Sequence, residues 1–115
     1  TWSLPRALGL PRAKALALLG DKLPAEKAEQ WGMIWQCVDD EALQETAMQL
    51  AAHLATQPTK GLARIKKLLN DSMNNPLHVQ LEAEKAAMRD LGKSQDYREG
   101  VAAFIEKRAP QFQGK

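Results

Sequence analysis

One stretch of this sequence, residues 33–38 (Met-Ile-Trp-Gln-Cys-Val), has the pattern of a β-strand. It is short and rich in Ile, Trp and Val, and it lies between Gly32 and Asp39. A single strand leaves its backbone N–H and C=O groups without partners, so it has to pair with another strand. Because no other segment shows the same pattern, we expect the pairing partner to lie outside these 115 residues.

The other segments have helical patterns. Aromatic residues make up only 5% of the sequence, while Ala and Leu, which favour helices, are abundant. Apolar spacing together with Gly and Pro positions predicts helices over residues 2–8, 11–19, 25–31, 41–55, 60–73, 77–91 and from 95 to near 108. The apolar residues Ala15, Leu16, Leu18 and Leu19 indicate that the second helix is largely buried. After residue 40 the helices are amphipathic, and we expect Leu81, Met88 and Phe104 to face a small bundle or another subunit.

Charge and cysteine content exclude several classes of protein. The formal net charge is only +2, although residues 58–115 carry 11 Lys and Arg against 7 Asp and Glu. This balance is too small to indicate a nucleic-acid partner. Cys37 is the only cysteine, so no internal disulfide is possible, and a cytoplasmic location is the natural expectation. No apolar stretch approaches the roughly 20 residues of a membrane span, so no membrane partner is expected.

Candidate catalytic groups do not form a set. His53 and His78 are isolated, whereas a metal site needs several ligands at workable spacing, so we expect no metal. The acidic residues 39–41 begin a helix, where unpaired N–H groups favour negative charge, and capping explains them. Ser72 and Ser94 have no His or Asp at a spacing that suggests a nucleophile. The residues alone therefore predict a helical domain without a self-contained active site.

Three stretches, in this order and spacing, carry a resemblance to a known family. Residues 1–6 read Thr-Trp-Ser-Leu-Pro-Arg, and residues 23–38 contain Ala-Glu-Lys-Ala followed by Gly-Met-Ile and Val. The third stretch, residues 99–112, matches the pattern Glu-Gly-x-x-Ala-Phe-x-Glu-Lys-Arg-x-Pro-x-Phe. Together they resemble the C-terminal part of the crotonase (enoyl-CoA hydratase/isomerase) superfamily across nearly the whole chain.

The resemblance implies a mainly α structure with one short strand. It would be the C-terminal helical region of the crotonase (ClpP/crotonase-like) fold, lacking the N-terminal ββα spiral. Residues 1–40 would end the crotonase core, and residues 41–115 would form a C-terminal helical oligomerisation region. The complete enzyme would be a trimer or hexamer, possibly with a second crotonase-family enzyme as partner.

The resemblance also implies an isomerase or lyase that acts on an acyl-CoA, with the coenzyme A thioester as substrate and no tightly bound cofactor. Trp2, Trp31, Trp35 and residues 57–59 (Gln-Pro-Thr) further resemble the isomerases of phenylacetate degradation, which convert a ring epoxide to oxepin-CoA by enolate-type chemistry. We keep a non-catalytic helical interaction module as the alternative.

No catalytic residue of the family maps onto this chain, because its catalytic acid and oxyanion donors are expected upstream of Thr1, so we expect the chain alone to be inactive. Three residues map onto peripheral substrate-binding positions. Lys107 would reach the adenosine-phosphate end of coenzyme A, and its alternative is a surface lysine near a helix C-terminus. Met88 would line the acyl pocket and Trp2 would wall the acyl site, and for both the alternative is core packing.

Overall fold

The computed structural model describes all 115 residues, and it consists of seven α-helices joined by turns and irregular segments. The helices are α1 (Ser3–Leu8), α2 (Leu10–Leu19), α3 (Ala25–Gln30), α4 (Asp40–Ala55), α5 (Thr59–Ser72), α6 (Leu77–Leu91) and α7 (Gln95–Glu106). The chain divides into two compact units, Thr1–Gln44 and Glu45–Lys115, with the division inside α4. The assignment of residues 1–40 to a crotonase core and of 41–115 to an oligomerisation region stays a prediction.

Local sequence signals set the helix ends. Gly20 takes a left-handed conformation with φ 70° and ends α2, as a glycine after the last helical residue predicts. Extended Pro24 and Pro76 precede α3 and α6. The Ser94 hydroxyl accepts a hydrogen bond of 3.1 Å from the Tyr97 N–H and so caps α7. These local interactions explain why all seven predicted helices are confirmed, with bounds shifted by at most a few residues.

The strand predicted at residues 33–38 is wrong for this structure. The segment is a turn followed by irregular backbone. Its backbone is held instead by α3: the Met33 N–H donates to the Ala28 carbonyl at 2.8 Å, and the Cys37 N–H donates to Glu29 Oε1 at 3.1 Å. The physical reason is that a strand needs a second strand as its hydrogen-bonding partner, and none is present in this structure.

Few residues are buried. The buried apolar residues are Leu8, Ala13, Ala28, Ala87 and Ala103, and no large side chain is completely enclosed. The predicted burial of α2 and the small-bundle alternative for the later helices are therefore wrong within this chain, because Leu18, Phe104 and Met88 are 81%, 84% and 75% exposed. Burial of the later helix faces against another subunit stays a prediction. Amphipathic faces are buried only when another element covers them, and no residue of α4 is buried at all.

The exposed area gives the size of the uncovered surface. The chain exposes 9324 Å². A compact monomer of 12.7 kDa exposes about 6,200 Å², and two separate compact units of these lengths would expose about 7,500 Å². The excess is therefore at least about 1,800 Å², which is more than one partner's share of a standard protein interface. None of the helices is both long enough and apolar enough to cross a membrane.

Candidate functional site

The end of α7 has an unusual backbone at Lys107. The Lys107 N–H donates to the Phe104 carbonyl at 3.4 Å, and the Arg108 N–H donates to the Ala103 carbonyl at 3.0 Å. This pair of bonds is the Schellman arrangement, in which the residue after the helix is left-handed and is usually Gly. Lys107 takes that conformation with φ 53° and ψ 40°, and it is the only non-glycine residue with positive φ.

A charged cluster follows immediately, and we call it the Glu99–Arg108 clamp. The Arg108 guanidinium donates to both carboxylate oxygens of Glu99, at 2.6 and 3.0 Å, and its Nε donates to Glu106 at 2.6 Å. The Gln111 N–H also donates to Glu99, at 2.8 Å. The hydrogen bonds from Arg108, and after them the bond from Gln111, lower the pKa of Glu99 to about 2. The same contacts with Glu99 and Glu106 raise the pKa of Arg108.

A second carboxylate fixes the rest of the tail. Asp96 is buried, and its two oxygens accept bonds from the N–H groups of Gln113 at 2.7 Å and Gly114 at 2.8 Å. The Asp96 N–H donates to the Lys115 carbonyl at 3.0 Å. Pro110 has no N–H to continue the helix, so the chain turns and runs back along α7. The carboxylates of Glu99 and Asp96 thus hold the tail at two points.

The tail also packs against a glycine of α7. A Cβ on Gly100 would lie 3.6 Å from the Phe112 ring, so the ring rests on the bare helix backbone at that point. Beside Phe112 lies a groove of about 420 Å³ with an almost wholly apolar surface. It is lined by Pro58, Lys60, Gly61, Leu91, Ser94, Asp96, Tyr97, Gly100, Val101, Phe104 and Phe112. The Ser94 hydroxyl and the Asp96 carboxylate are engaged in the cap and the tail, so the groove offers an apolar surface and not a reactive pair.

The structure places the three predicted binding residues at exposed positions. Lys107 lies at the end of α7, and Met88 lies on α6; neither lines the apolar groove. Trp2 belongs to the first unit, is 65% exposed, and has the Arg6 guanidinium 4.0 Å from its ring centroid. Within these 115 residues neither Met88 nor Trp2 packs in a core, and their core-packing alternatives stay open. Their roles in binding an acyl-CoA stay predictions.

The remaining titratable groups do not form a reactive centre. No three His, Cys, Asp or Glu side chains are grouped closely enough to hold a metal ion. Cys37 is half-buried, and burial, followed by the nearby charges of Glu26, Glu29, Asp39 and Asp40, raises the pKa of its thiol. A thiol held in its neutral form is a poor nucleophile.

Sequence reasoning missed the Glu99–Arg108 clamp. Glu99 and Arg108 are nine residues apart, which is outside the three- and four-residue spacing at which helical side chains meet. The available signal was Pro110, which cannot continue a helix and so indicates that α7 ends before it and that a non-helical tail follows. Residues 99–112, the third stretch that carried the family resemblance, thus contain the Glu99–Arg108 clamp that holds the tail against α7.

Comparisons with known proteins agree with one another. All 115 residues match the family model described as enoyl-CoA hydratase/isomerase. The chain is 59% identical to the 1,2-epoxyphenylacetyl-CoA isomerase of Escherichia coli, covering 100% of this chain and 44% of that protein. It is 44% identical to a protein of Rhodobacter capsulatus named probable enoyl-CoA hydratase, covering 100% and 45% respectively.

Solved structures give the same result. A crystal structure from Mycobacterium abscessus, described as an enoyl-CoA hydratase/isomerase, matches with a TM-score of 0.94 and 39% identity. The match covers 98% of this chain and 44% of that chain. The 115 residues therefore span less than half the length of the relatives they match.

Proposed function

Because the chain belongs to the enoyl-CoA hydratase/isomerase family, we propose that it forms the C-terminal helical part of an enzyme that acts on acyl-CoA thioesters. The narrower proposal is isomerisation of 1,2-epoxyphenylacetyl-CoA to the oxepin thioester, as in phenylacetate degradation. The observation that carries it is the high identity to the E. coli isomerase of that name, which extends over every residue of this chain.

The chemistry assigns this chain a supporting part. Enolate formation from a thioester needs N–H donors at the thioester oxygen and an acid or base that moves the proton. We propose that the groups at those positions lie outside the 115 residues of this chain. We therefore propose that its residues bind the substrate's periphery: Lys107 holds a phosphate of coenzyme A, while Met88 and Trp2 border the acyl group. All three side chains are exposed within these 115 residues.

The uncovered apolar surface belongs to the same proposal. Twenty-two large apolar side chains are exposed, and the uncovered area exceeds one side of a standard interface. We propose that the rest of the enzyme and the neighbouring subunits of a cytoplasmic trimer or hexamer cover these faces. A further crotonase-family enzyme is the other partner that we propose for this surface.

A chimera tests the narrower function. These 115 residues would replace the matched part of the E. coli isomerase, and turnover of 1,2-epoxyphenylacetyl-CoA would be measured. We expect the chimera to keep activity within about tenfold of the parent, because the exchanged segment is 59% identical to the one it replaces. The matched control carries the corresponding part of the Rhodobacter relative and should lose more. A folded, assembled chimera that hydrates an enoyl-CoA but leaves the epoxide unchanged would contradict the narrower proposal.

The second candidate, favoured by the same exposed apolar side chains, is a non-catalytic interaction module. It predicts that the isolated 115 residues form one defined oligomer that binds no coenzyme A. Light scattering after size exclusion, combined with calorimetric titration of coenzyme A, separates the two candidates. Binding of coenzyme A by the chain, or turnover by the chimera, would exclude the module.

A further inference from the structure

Lys107 stands where the backbone favours glycine. A left-handed conformation costs a non-glycine residue about 1–2 kcal/mol, and Gly is the usual residue at this position of a Schellman arrangement. Lys107 is neither Gly nor Asn, the two residues that tolerate this conformation best. Backbone strain of this kind persists only where neighbouring contacts impose it, and it points to a role for the strained residue.

The Glu99–Arg108 clamp supplies those contacts. Arg108 follows Lys107 directly, and its guanidinium is fixed to both oxygens of Glu99 in a bidentate pair. Glu99 is only 24% exposed, and it also accepts the Gln111 N–H on the far side of Lys107. Glu99 therefore holds the chain after Lys107 at two points, while the helix holds it before. Lys107 cannot leave the left-handed conformation unless Arg108 moves.

Glu106 also binds Arg108, but it holds the guanidinium less firmly than Glu99 does. It offers Arg108 a single bond at 2.6 Å and its side chain is 58% exposed. Its bond to Arg108 joins residues only two positions apart, so it does not tie the returning tail to the body of α7. Exposed single ion pairs contribute little, whereas a bidentate pair on a half-buried carboxylate fixes an orientation.

We propose that Glu99 is a positioning residue for substrate binding: through Arg108 and Gln111 it holds Lys107 in the left-handed conformation that aims its ammonium group at the phosphate on the adenosine ribose of coenzyme A. This inference rests on the proposed function, and it assigns a role to a residue that does not itself touch the substrate. Lys107 supplies the charge, and Glu99 supplies its direction.

The test compares three variants in the complete enzyme that contains these residues. Lys107→Ala removes the cation, Glu99→Gln removes the bidentate pair, and Glu106→Gln is the matched control on the same guanidinium. Affinities for coenzyme A and for dephospho-coenzyme A are measured by calorimetry, because the two ligands differ by one phosphate. A general loss of folding would weaken both ligands, whereas loss of the phosphate contact weakens only coenzyme A.

We expect Lys107→Ala to reduce the preference for coenzyme A about tenfold, the size of one charge-assisted hydrogen bond. Glu99→Gln should reduce it about fivefold, and Glu106→Gln by less than about twofold. The three-bond coupling between the amide and α protons of Lys107, read by NMR, should show the residue leaving the left-handed region in Glu99→Gln alone. If Glu99→Gln does not fold, Arg108→Lys serves instead, since an ammonium cannot bridge both carboxylate oxygens.

The outcomes separate two failures. If Lys107→Ala leaves the preference unchanged, Lys107 does not bind the phosphate on the adenosine ribose, and both its proposed role and the positioning by Glu99 are overturned. If Lys107→Ala lowers the preference but Glu99→Gln leaves both the preference and the Lys107 coupling unchanged, Lys107 keeps its role and only the positioning by Glu99 is overturned.

Discussion

Two glycines share nearly the same φ but differ in what an added side chain would meet. Gly114 and Gly20 both have positive φ, 72° and 70°. A side chain on Gly114 would also collide with the Thr59 hydroxyl, whereas one on Gly20 would meet open space. The pair therefore isolates a steric contact from backbone strain.

We expect Gly114→Ala to lower the free energy of unfolding by about 2 kcal/mol and Gly20→Ala by about 1 kcal/mol. Strain acts at both positions, and the contact with Thr59 acts at one. Urea unfolding followed by circular dichroism measures both. Equal losses would show that the tail does not approach α5 as described.

Lys107→Gly should stabilise the chain by about 0.5–1 kcal/mol, because it removes the strain of a left-handed lysine. Lys85→Gly, in the interior of α6, is the control and should lose about 1 kcal/mol through lower helix propensity. Thermal melting of both variants provides the comparison. A loss of stability in Lys107→Gly would mean that the lysine side chain contributes to folding.

The acidity of Glu99 gives a pH prediction. Its folded pKa is lowered, so the clamp stabilises the fold fully above the ordinary value of 4.5 and loses that contribution as pH falls to about 2. A carbon-detected NMR titration of the Glu99 carboxyl should show its midpoint near 2. In Arg108→Met the midpoint should move up towards 4.5, and a midpoint unchanged by that substitution would rule out Arg108 as the cause.

At the level of helices, the sequence predicted most of what the structure contains. The bounds of α6 agree with the prediction at both ends, because Pro76 and Gly92 mark them locally. Ser94, a residue type that favours the N-cap, likewise marks the start of α7 locally. The predicted strand at residues 33–38 was wrong, since strand formation depends on a partner that local sequence cannot supply. The conformation of Lys107 was also missed, since it depends on Glu99 eight residues earlier.

The Ser94 cap can be tested directly. Ser94→Ala should lower the free energy of unfolding by about 1 kcal/mol, because the Tyr97 N–H at the start of α7 loses its acceptor. The control is Ser72→Ala near the end of α5, where the hydroxyl donates to the Leu69 carbonyl at the surface. It should change stability by less than about 0.5 kcal/mol. Similar losses in both variants would contradict the capping role.

For the molecule as a whole, the apolar pattern was predicted but its burial was not. Hydrophobic periodicity says which face of a helix avoids water, and it does not say which polypeptide covers that face. Phe104 and Ile105 on α7, at 84% and 73% exposed, are the clearest examples. The candidate site follows the same rule: the positions of Lys107, Met88 and Trp2 came from a sequence motif, while their surroundings depend on contacts beyond these residues.

The uncovered surface has a measurable effect on the isolated chain. Replacing Phe104 and Ile105 together by Ser should reduce the binding of a hydrophobic dye and reduce self-association by at least about threefold, because two exposed apolar groups are removed. Arg89→Ser, an exposed polar change on α6, should alter neither. Dye fluorescence and sedimentation velocity provide the measurements. Unchanged dye binding and self-association in the double variant would show that other exposed apolar residues are responsible for them.

The two compact units carry different chromophores. All three tryptophans lie in Thr1–Gln44, and two of them, Trp2 and Trp31, stack against arginine side chains. The single tyrosine, Tyr97, lies in Glu45–Lys115. Indole emission therefore reports on the first unit, and the ring signals of Tyr97 in a proton NMR spectrum report on the second. Unlabelled material is enough to show whether the two halves melt together or in sequence.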